Sequence, residues 1–235
     1  MQITVESAKE EVGMGWEVFD RLHHKYDDWF DKSPGKEIFK LELECLKEAF
    51  RGSWRPRLEI GVGTGRFAEK LMIDFGVDPS EEMLRKASER GIQVTKAVAE
   101  ELPFPSDFFG GLAMILTLCF LDDPSKALRE CFRILTKGGI LLLGIVPRES
   151  SWGRFYLKKK EEEHPFYSGA HFYTTQETIN LSEQAGFKLE TVFSTLFEEP
   201  EEYAQVSPYP SKPQETRKGG FVCIKMRKPH EATST

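Results

Sequence analysis

The spacing of hydrophobic positions changes several times along the chain, and each change marks a predicted helix or strand. Over residues 6–50 apolar side chains recur every three or four positions, which predicts helices. The stretch KSPGK interrupts them, because proline and glycine break a helix. From Arg57 onward, short apolar runs alternate with amphipathic stretches. Five predicted strands lie in RLEIGV, IDFGVD, IQVTKAV, FGGLAMILTLCF and ILLLGIV.

The amphipathic stretches carry helix start and stop signals. PSEEMLRKASERG begins with a proline and a serine and stops at a glycine, while DDPSKALRECFRILTKGG predicts a helix that ends at the glycine pair 138–139. TTQETINLSEQAG predicts a helix capped by Thr174 or Thr175, and the strands FKLETVFST and GFVCIKMRK follow. Strands that alternate with helices form βαβ units around a parallel sheet, so the predicted fold is α/β, with the last two strands antiparallel at one edge.

Composition restricts the classes of partner. The 235 residues are 40% hydrophobic and 30% charged with a net charge of −6, which is typical of a soluble domain and does not favour a broad nucleic-acid-binding face. The apolar run 112–121 is too short to span a membrane, and MQITVESAKEEVG lacks the apolar core of a signal peptide. The four cysteines form no CxxC pair and no metal-type spacing, so we predict free thiols, no metal and a cytoplasmic location. A single asparagine among many lysines and glutamates is typical of hyperthermophiles.

Candidate chemistry concentrates in LEIGVGTGRFAEKL, where the first strand meets a helix. Gly61, Gly63 and Gly65 permit left-handed backbone and close approach of a ligand, although glycines also serve a tight turn. In a parallel sheet, ligands bind beyond the carboxyl ends of the strands, which is where this loop lies. Arg66 occupies the last position of the dinucleotide fingerprint, and the Gly-Lys-Ser/Thr of a Walker loop is missing. Both phosphate-binding interpretations of the loop therefore lose support. The hypothesis that the protein is a nicotinamide-dependent oxidoreductase loses support for the same reason.

Two carboxylates flank the loop. Asp78 closes the second strand, 17 residues after Gly61, where an acid can accept both ribose hydroxyls of a nucleoside. The same aspartate also suits a helix N-cap before Pro79. Glu59 can face an ammonium group and is a poor neighbour for a pyrophosphate. A nucleoside at one end and an amino acid at the other describe S-adenosylmethionine.

LEIGVGTGRFA followed by GVDPSEEML resembles the cofactor signature of class I S-adenosylmethionine-dependent methyltransferases. AEELPFPSDFF, LTLCFLDDPSKALRECFRILTKGGILLLGI and YDDWFDKSPGK resemble the branch that contains the ubiquinone/menaquinone-biosynthesis methyltransferases, over residues 26–195. The resemblance implies a Rossmann-like fold, with a mostly parallel seven-stranded sheet, helices on both faces and an antiparallel edge strand. It implies an enzyme that uses S-adenosylmethionine on a small-molecule methyl acceptor. We expect a monomer or homodimer.

The resemblance also implies roles for individual residues. The methionine end of the cofactor would lie at Glu59 and the glycines, the ribose at Asp78, and the adenine beside Met83 and residues 99–100. Thr117 would lie near the transferred methyl group. The cofactor-binding residues implied in this way are Tyr26, Trp29, Glu59, Gly61, Gly63, Gly65, Asp78, Pro79, Ser80, Met83, Ala99 and Glu100, with Tyr26 and Trp29 closing the pocket.

Two positions depart from the family pattern. Val98 stands where members often carry an aspartate that binds the adenine amino group, and Gly110 replaces an acid that usually opens the fourth strand. These departures support an alternative in which the chain is a cofactor-binding regulatory module without turnover.

The expected organisation is a single methyltransferase domain over 1–228, followed by a flexible tail at 229–235. Within it we expect a helical cap at 1–54, a cofactor-binding half at 55–147, and a substrate-side lid with the final strands at 148–228.

The resemblance implies that the acceptor contacts the N-terminal helices and the aromatic segment after the fifth strand. This segment contains Trp152, Phe155, Tyr156, Phe166, Tyr167, Phe172 and Tyr173. These rings can hold a planar or cationic acceptor, or they can pack the segment onto the sheet. His171 is the candidate general base, because a histidine titrates near neutral pH. The Asn/Asp-Pro-Pro-Tyr/Phe signature of base methylation is missing, so a small molecule is favoured, including a biogenic amine or a quinone-like or phenolic compound.

Overall fold

The computed structural model describes residues 16–200 and 213–230. The helices are α1 Glu17–Trp29, α2 Gly35–Ala49, α3 Arg66–Leu71, α4 Glu81–Glu89, α5 Pro124–Ile134, α6 Ser151–Glu161 and α7 Thr175–Gln184, with a 3₁₀ turn at Leu118–Phe120. The strands are β1 Arg57–Ile60, β2 Phe75–Asp78, β3 Gln93–Lys96, β4 Phe109–Ile115, β5 Leu135–Ile145, β6 Lys188–Thr195 and β7 Phe221–Arg227. The helix predicted from residue 6 and the tail predicted to residue 235 lie partly outside the described residues.

The described strands form one seven-stranded sheet in the order β3-β2-β1-β4-β5-β7-β6. Strands β1 to β5 are parallel, and β7 pairs antiparallel with both β5 and the edge strand β6. The predicted α/β fold with an antiparallel edge is therefore confirmed. Thr174 caps α7 in a capping box with Glu177, which decides between the two predicted threonines.

The predicted end of α5 at the glycine pair is wrong. The helix ends at Ile134, and the next residue, Leu135, already pairs with Phe109 of β4. The register then shifts, and Gly138, at φ +76°, donates its N–H to the carbonyl of Lys228. The glycine pair 138–139 therefore lies at an irregularity inside β5 and does not cap the helix. A residue with left-handed backbone fits a bulge in a strand as well as the end of a helix.

Two apolar layers cover the sheet, and β4 shows why. All seven of its residues are buried, with Leu112 and Met114 facing the layer that contains α5 and α7. Ala113 and Ile115 face the opposite layer, which contains α2 and α3. A strand covered on both faces is apolar throughout instead of alternating, as its sequence predicts. Among the described residues, no helix combines the length and the apolar character that a membrane crossing needs.

Candidate active site

A cavity of about 650 Å³ lies at the carboxyl ends of the parallel strands. One part of its wall comes from the connections that follow β1, β2, β3 and β4, and it includes Gly61, Gly63, Asp78, Pro79, Met83, Val98, Ala99, Glu100 and Thr117. The other part is aromatic and comes from α1, α6 and residues 164–173. It includes Phe19, Tyr26, Trp29, Trp152, Phe155, Tyr156, Phe166, Tyr167, Phe172 and Tyr173.

The three loop glycines all have positive φ, but they meet different neighbours. A Cβ at Gly63 would meet nothing within 4 Å, so this backbone faces open space in the cavity. A Cβ at Gly61 would collide with the side chain of Thr117, and one at Gly65 would lie 3.0 Å from Ala87 of α4. Gly61 and Gly63 therefore line the cavity, whereas Gly65 allows α3 to pack closely on α4.

Asp78 connects the glycine loop to the start of α4. One carboxylate oxygen accepts the N–H of Gly63 at 2.9 Å, and the other accepts the N–H of Ser80 at 2.9 Å. Burial raises the pKa of Asp78 to about 6, against the effect of these two hydrogen bonds. Ser80, not Asp78, caps α4, so the N-cap interpretation of Asp78 is wrong. Each oxygen retains a lone pair that can accept a hydroxyl hydrogen.

Glu59 and Ser80 lie beneath the site and do not line the cavity. Glu59 is 1% exposed, and burial raises the pKa of its carboxyl well above its ordinary range, although it accepts a backbone hydrogen bond from Ala68. Ser80 is fully buried and donates its hydroxyl to Asp20 at 2.6 Å. Ser80 also accepts the N–H of Met83 and so stabilises the start of α4, and neither residue exposes a polar atom to a ligand in the cavity.

Thr117 lines the cavity, but its hydroxyl group already donates its hydrogen to a backbone carbonyl. Its Oγ1 donates to the carbonyl of Ile115 at 3.0 Å, and its side chain packs against Gly61. The nearby thiol of Cys119 also lines the cavity, and burial raises its pKa to about 12. Neither group is a ready proton acceptor.

His171, the predicted general base, does not line the cavity. Its side chain is exposed, its backbone N–H donates to the carbonyl of Cys119 at 2.7 Å, and its ring lies 4.6 Å from that of Tyr173. We assign it no proton-transfer role, since a general base must reach the acceptor. His164 does line the cavity, and burial lowers its pKa.

Helix α1 covers the cavity and is held there by a charged network. Asp27 accepts hydrogen bonds from Thr64 Oγ1 at 2.8 Å and from Arg66 Nε at 2.7 Å, and it pairs with Arg90 at 3.2 Å. Arg66 also pairs with Asp31 at 2.8 Å. Although burial acts to raise it, the hydrogen bonds from Arg66 and Thr64 hold the pKa of Asp27 well below its ordinary range. The network joins α1 to the glycine loop and α4.

The two departures from the family pattern lie in different places. Val98 lines the cavity and presents an apolar side chain there. Gly110 lies at the start of β4, away from the carboxyl ends, where a Cβ would collide with the ring of Trp54. The glycine at 110 therefore has a packing explanation and does not alter the cavity.

Sequence reasoning missed Glu42, which lines the cavity from α2. The side chain is only 4% exposed, and no described residue donates a hydrogen bond to its Oε2. Burial raises the pKa of Glu42 to about 8. The signal was a glutamate one turn after Ile38, inside the apolar stripe of the helix.

The residues of the first wall fit S-adenosylmethionine. Gly63 leaves room for a close ligand, Asp78 supplies a buried acceptor, and Met83 and Val98 supply apolar surface. Among the described residues, no group of histidine, cysteine and acidic side chains is arranged to hold a metal ion.

Comparisons with known proteins agree with this fit. A family model described as a methyltransferase domain matches residues 58–143. A solved structure from Thermotoga maritima, described as a SAM-dependent methyltransferase and possible histamine N-methyltransferase, is 40% identical. That alignment covers 91% of this chain and 99% of that chain, with a TM-score of 0.83.

Two sequence relatives cover less of the chain. An uncharacterized protein of Mycobacterium tuberculosis is 41% identical over 175 residues, so the alignment covers 74% of this chain but only 61% of that relative's length. A ubiquinone/menaquinone biosynthesis C-methyltransferase of Vibrio parahaemolyticus is 32% identical over 158 residues, which are 60% of each chain.

Proposed function

This chain belongs to the class I S-adenosylmethionine-dependent methyltransferases, and from that premise we propose that it methylates a small molecule held in the aromatic part of the cavity. The cofactor of this family is S-adenosylmethionine. The observation that carries the proposal is one continuous cavity, whose first wall fits the cofactor and whose second wall is formed by aromatic rings. Its volume of about 650 Å³ is typical of small-molecule sites.

The bound cofactor supplies a methyl group on a positively charged sulfur, which is already a strong electrophile. The chain's own contribution is to bind, to align and to exclude water. Asp78 accepts the ribose hydroxyls, Gly61 and Gly63 admit the methionine end, and Met83 packs on the adenine. Tyr26 and Trp29 close the pocket over the cofactor, while the other rings of the second wall hold the acceptor and keep water from the reacting atoms.

The acceptor atom is nitrogen, oxygen or carbon. The Thermotoga maritima structure, with its description as a possible histamine N-methyltransferase, supports an amine. The Vibrio parahaemolyticus relative, a C-methyltransferase of quinone biosynthesis, supports a quinone-like compound, but over only 60% of the chain. The cytoplasmic location, the hyperthermophilic source, the domain limits and the monomeric or dimeric state stay predictions.

Calorimetric titration with S-adenosylhomocysteine, followed by turnover against a panel of amines, phenols and quinols, tests the proposal. We expect the protein to bind the cofactor. With at least one panel compound we expect a product that is about 14 Da, or one CH₂ group, heavier than the acceptor. Binding without any turnover would favour the regulatory module instead. Tight NADH binding with none for S-adenosylhomocysteine would contradict the proposal.

A further inference from the structure

Glu42 is a buried carboxyl group in the wall of the cavity, apart from the cofactor side. Four carboxyl-bearing residues among those described line the cavity. Asp78 is the last residue of β2, and Glu100 and Asp122 lie on the connections that follow β3 and β4. Glu42 comes from α2, with Ile38 one turn before it. Burial of a glutamate in the apolar stripe of a helix costs free energy unless its carboxyl group is hydrogen-bonded or paired with a cation.

The surroundings of Glu42 are aromatic. Tyr26 of α1, Tyr156 of α6 and Tyr167 all line the same cavity, and each is close enough for the Glu42 charge to act on its hydroxyl. The rings of Tyr156 and Tyr167 have centroids 4.7 Å apart, and Tyr156 stacks on Phe172 at 6.3 Å. Aromatic faces attract cations, most strongly where water is excluded.

The Glu42 carboxyl has no protein partner among the described residues. Its Oε2 has no hydrogen-bond donor, and no described lysine, arginine or histidine forms an ion pair with it. Buried carboxylates are ordinarily paired with a cation. An unpaired acid enclosed by rings at a ligand cavity fits a cationic group of the ligand.

We propose that Glu42 binds the ammonium group of an amine acceptor and takes up one of its protons, which makes an amine the substrate class of this site. This inference rests on the proposed function. Glu42 is then a catalytic residue, since it touches the reacting nitrogen. Tyr26, Tyr156 and Tyr167 surround the same cation.

An ammonium nitrogen has no free electron pair, so one N–H bond first breaks and its proton passes to a Glu42 oxygen. The amine nitrogen then bonds to the methyl carbon, while the carbon–sulfur bond breaks and leaves its electron pair on sulfur. An N-methylated ammonium ion and a neutral thioether result, and Glu42 releases its proton to solvent before the next turnover.

Burial of Glu42 assists this proton transfer. It raises the pKa of Glu42 to about 8 in the protein without ligand, so the ionised carboxylate is a stronger proton acceptor than that of an exposed glutamate. The titratable groups that face Glu42 are Tyr26, Tyr156, Tyr167 and Cys223, and burial raises the pKa of each. They are neutral near pH 8, so a titration there reports Glu42.

The test compares amines with neutral analogues of equal shape. We would titrate 2-phenylethylamine and histamine, each against its alcohol analogue, into the protein saturated with S-adenosylhomocysteine. At pH 8.5 we expect the amines to bind at least 10-fold more tightly than the alcohols. Amine affinity should rise with pH through about 8, as the carboxyl ionises, and fall again as the amine loses its proton.

Variants on the same helix separate the role of Glu42 from a structural one. Glu42→Gln should remove both the amine preference and the pH dependence, whereas Glu42→Asp should keep part of each. Glu44→Gln is the matched control, because Glu44 is exposed on the same helix, and it should keep both. The affinity for S-adenosylhomocysteine, measured in every variant, shows that the fold and cofactor wall are intact.

Three results would overturn the inference: no amine binds, amines and alcohols bind equally, or Glu42→Gln keeps the preference. In each case intact binding of S-adenosylhomocysteine and turnover of a neutral acceptor would leave the proposed function standing. Failure of the unaltered protein to bind S-adenosylhomocysteine would remove the proposed function, and the Glu42 inference with it.

Discussion

Replacing Asp27 by alanine tests whether α1 closes the cofactor site. Asp27 is the acceptor that joins this helix to Thr64 and Arg66 beside the glycine loop and to Arg90 at the end of α4. The same helix contributes Tyr26 to the cavity wall. If the ion pairs hold the helix in place, one substitution should weaken both folding and cofactor binding.

The contacts set the magnitude. A hydrogen bond to a charged group contributes about 1.5–3 kcal/mol, and removal of one partner of a buried pair costs about 3–5 kcal/mol. The Asp27 side chain is 15% exposed, so water compensates part of the loss, and Arg66 keeps its second partner, Asp31. We therefore expect the free energy of unfolding to fall by about 2–3 kcal/mol, and the affinity for S-adenosylhomocysteine to fall about 10-fold.

Urea denaturation and calorimetric titration measure the two quantities. Asp28→Ala is the control, because Asp28 lies on the same helix and is 67% exposed, and its one ion pair within the described part of the chain is an i,i+4 contact with Lys32 at 3.3 Å. That variant should change the free energy of unfolding by less than about 0.5 kcal/mol and leave cofactor affinity unchanged. A destabilised Asp27→Ala protein that binds S-adenosylhomocysteine normally would refute the reasoning, since α1 would then stabilise the fold without closing the site.

The other predictions concern the cofactor wall. Asp78→Asn should weaken S-adenosylhomocysteine binding about 10- to 100-fold, because a charged acceptor is worth about 1.5–3 kcal/mol. In the unaltered protein that affinity should fall as the pH drops through about 6, where Asp78 gains a proton, and calorimetry in Asp78→Asn should show no such decline. Gly63→Ala has space for its Cβ and should cost only the left-handed strain of about 1–2 kcal/mol in unfolding free energy, yet it should abolish cofactor binding. Gly65→Ala adds a contact at 3.0 Å with Ala87 to the same strain, so urea denaturation should show the larger loss of stability. Equal cofactor affinity in Gly63→Ala and the unaltered protein would show that Gly63 serves only the turn and does not contact the cofactor.

Features whose signals are adjacent in the chain could be predicted from the sequence. The apolar runs identify the strands, and the carboxyl end of each parallel strand locates the glycine loop and Asp78 at one edge. The end of α5 could not be predicted, because a glycine pair fits a helix cap and a bulge equally well. Pairing of Leu135 with Phe109, 26 positions earlier, decides between them.

The direction in which a side chain points was the second feature that could not be predicted from the sequence. His171 and His164 both lie in the aromatic segment, and nothing local says which of them faces the cavity. The hydrogen bond from the His171 backbone to Cys119 fixes that part of the segment, and its ring remains outside. Glu42 presents the reverse case, because it is buried on a helix that packs on α3 and on the strands β5, β6 and β7, and only the folded chain brings these elements together.

The glycine loop shows why a turn and a ligand site need not be alternatives. Gly65 is needed for the turn, since α3 could not otherwise approach Ala87, while Gly63 faces open space that the turn leaves unused. The next residue, Arg66, replaces the glycine that a dinucleotide site requires, and its guanidinium reaches Asp27 instead. The substitution that argues against a pyrophosphate therefore also supplies the contact that holds α1 over the cavity. Arg66→Gly would remove that contact without creating a phosphate site, because the buried Glu59 would still lie beside the loop.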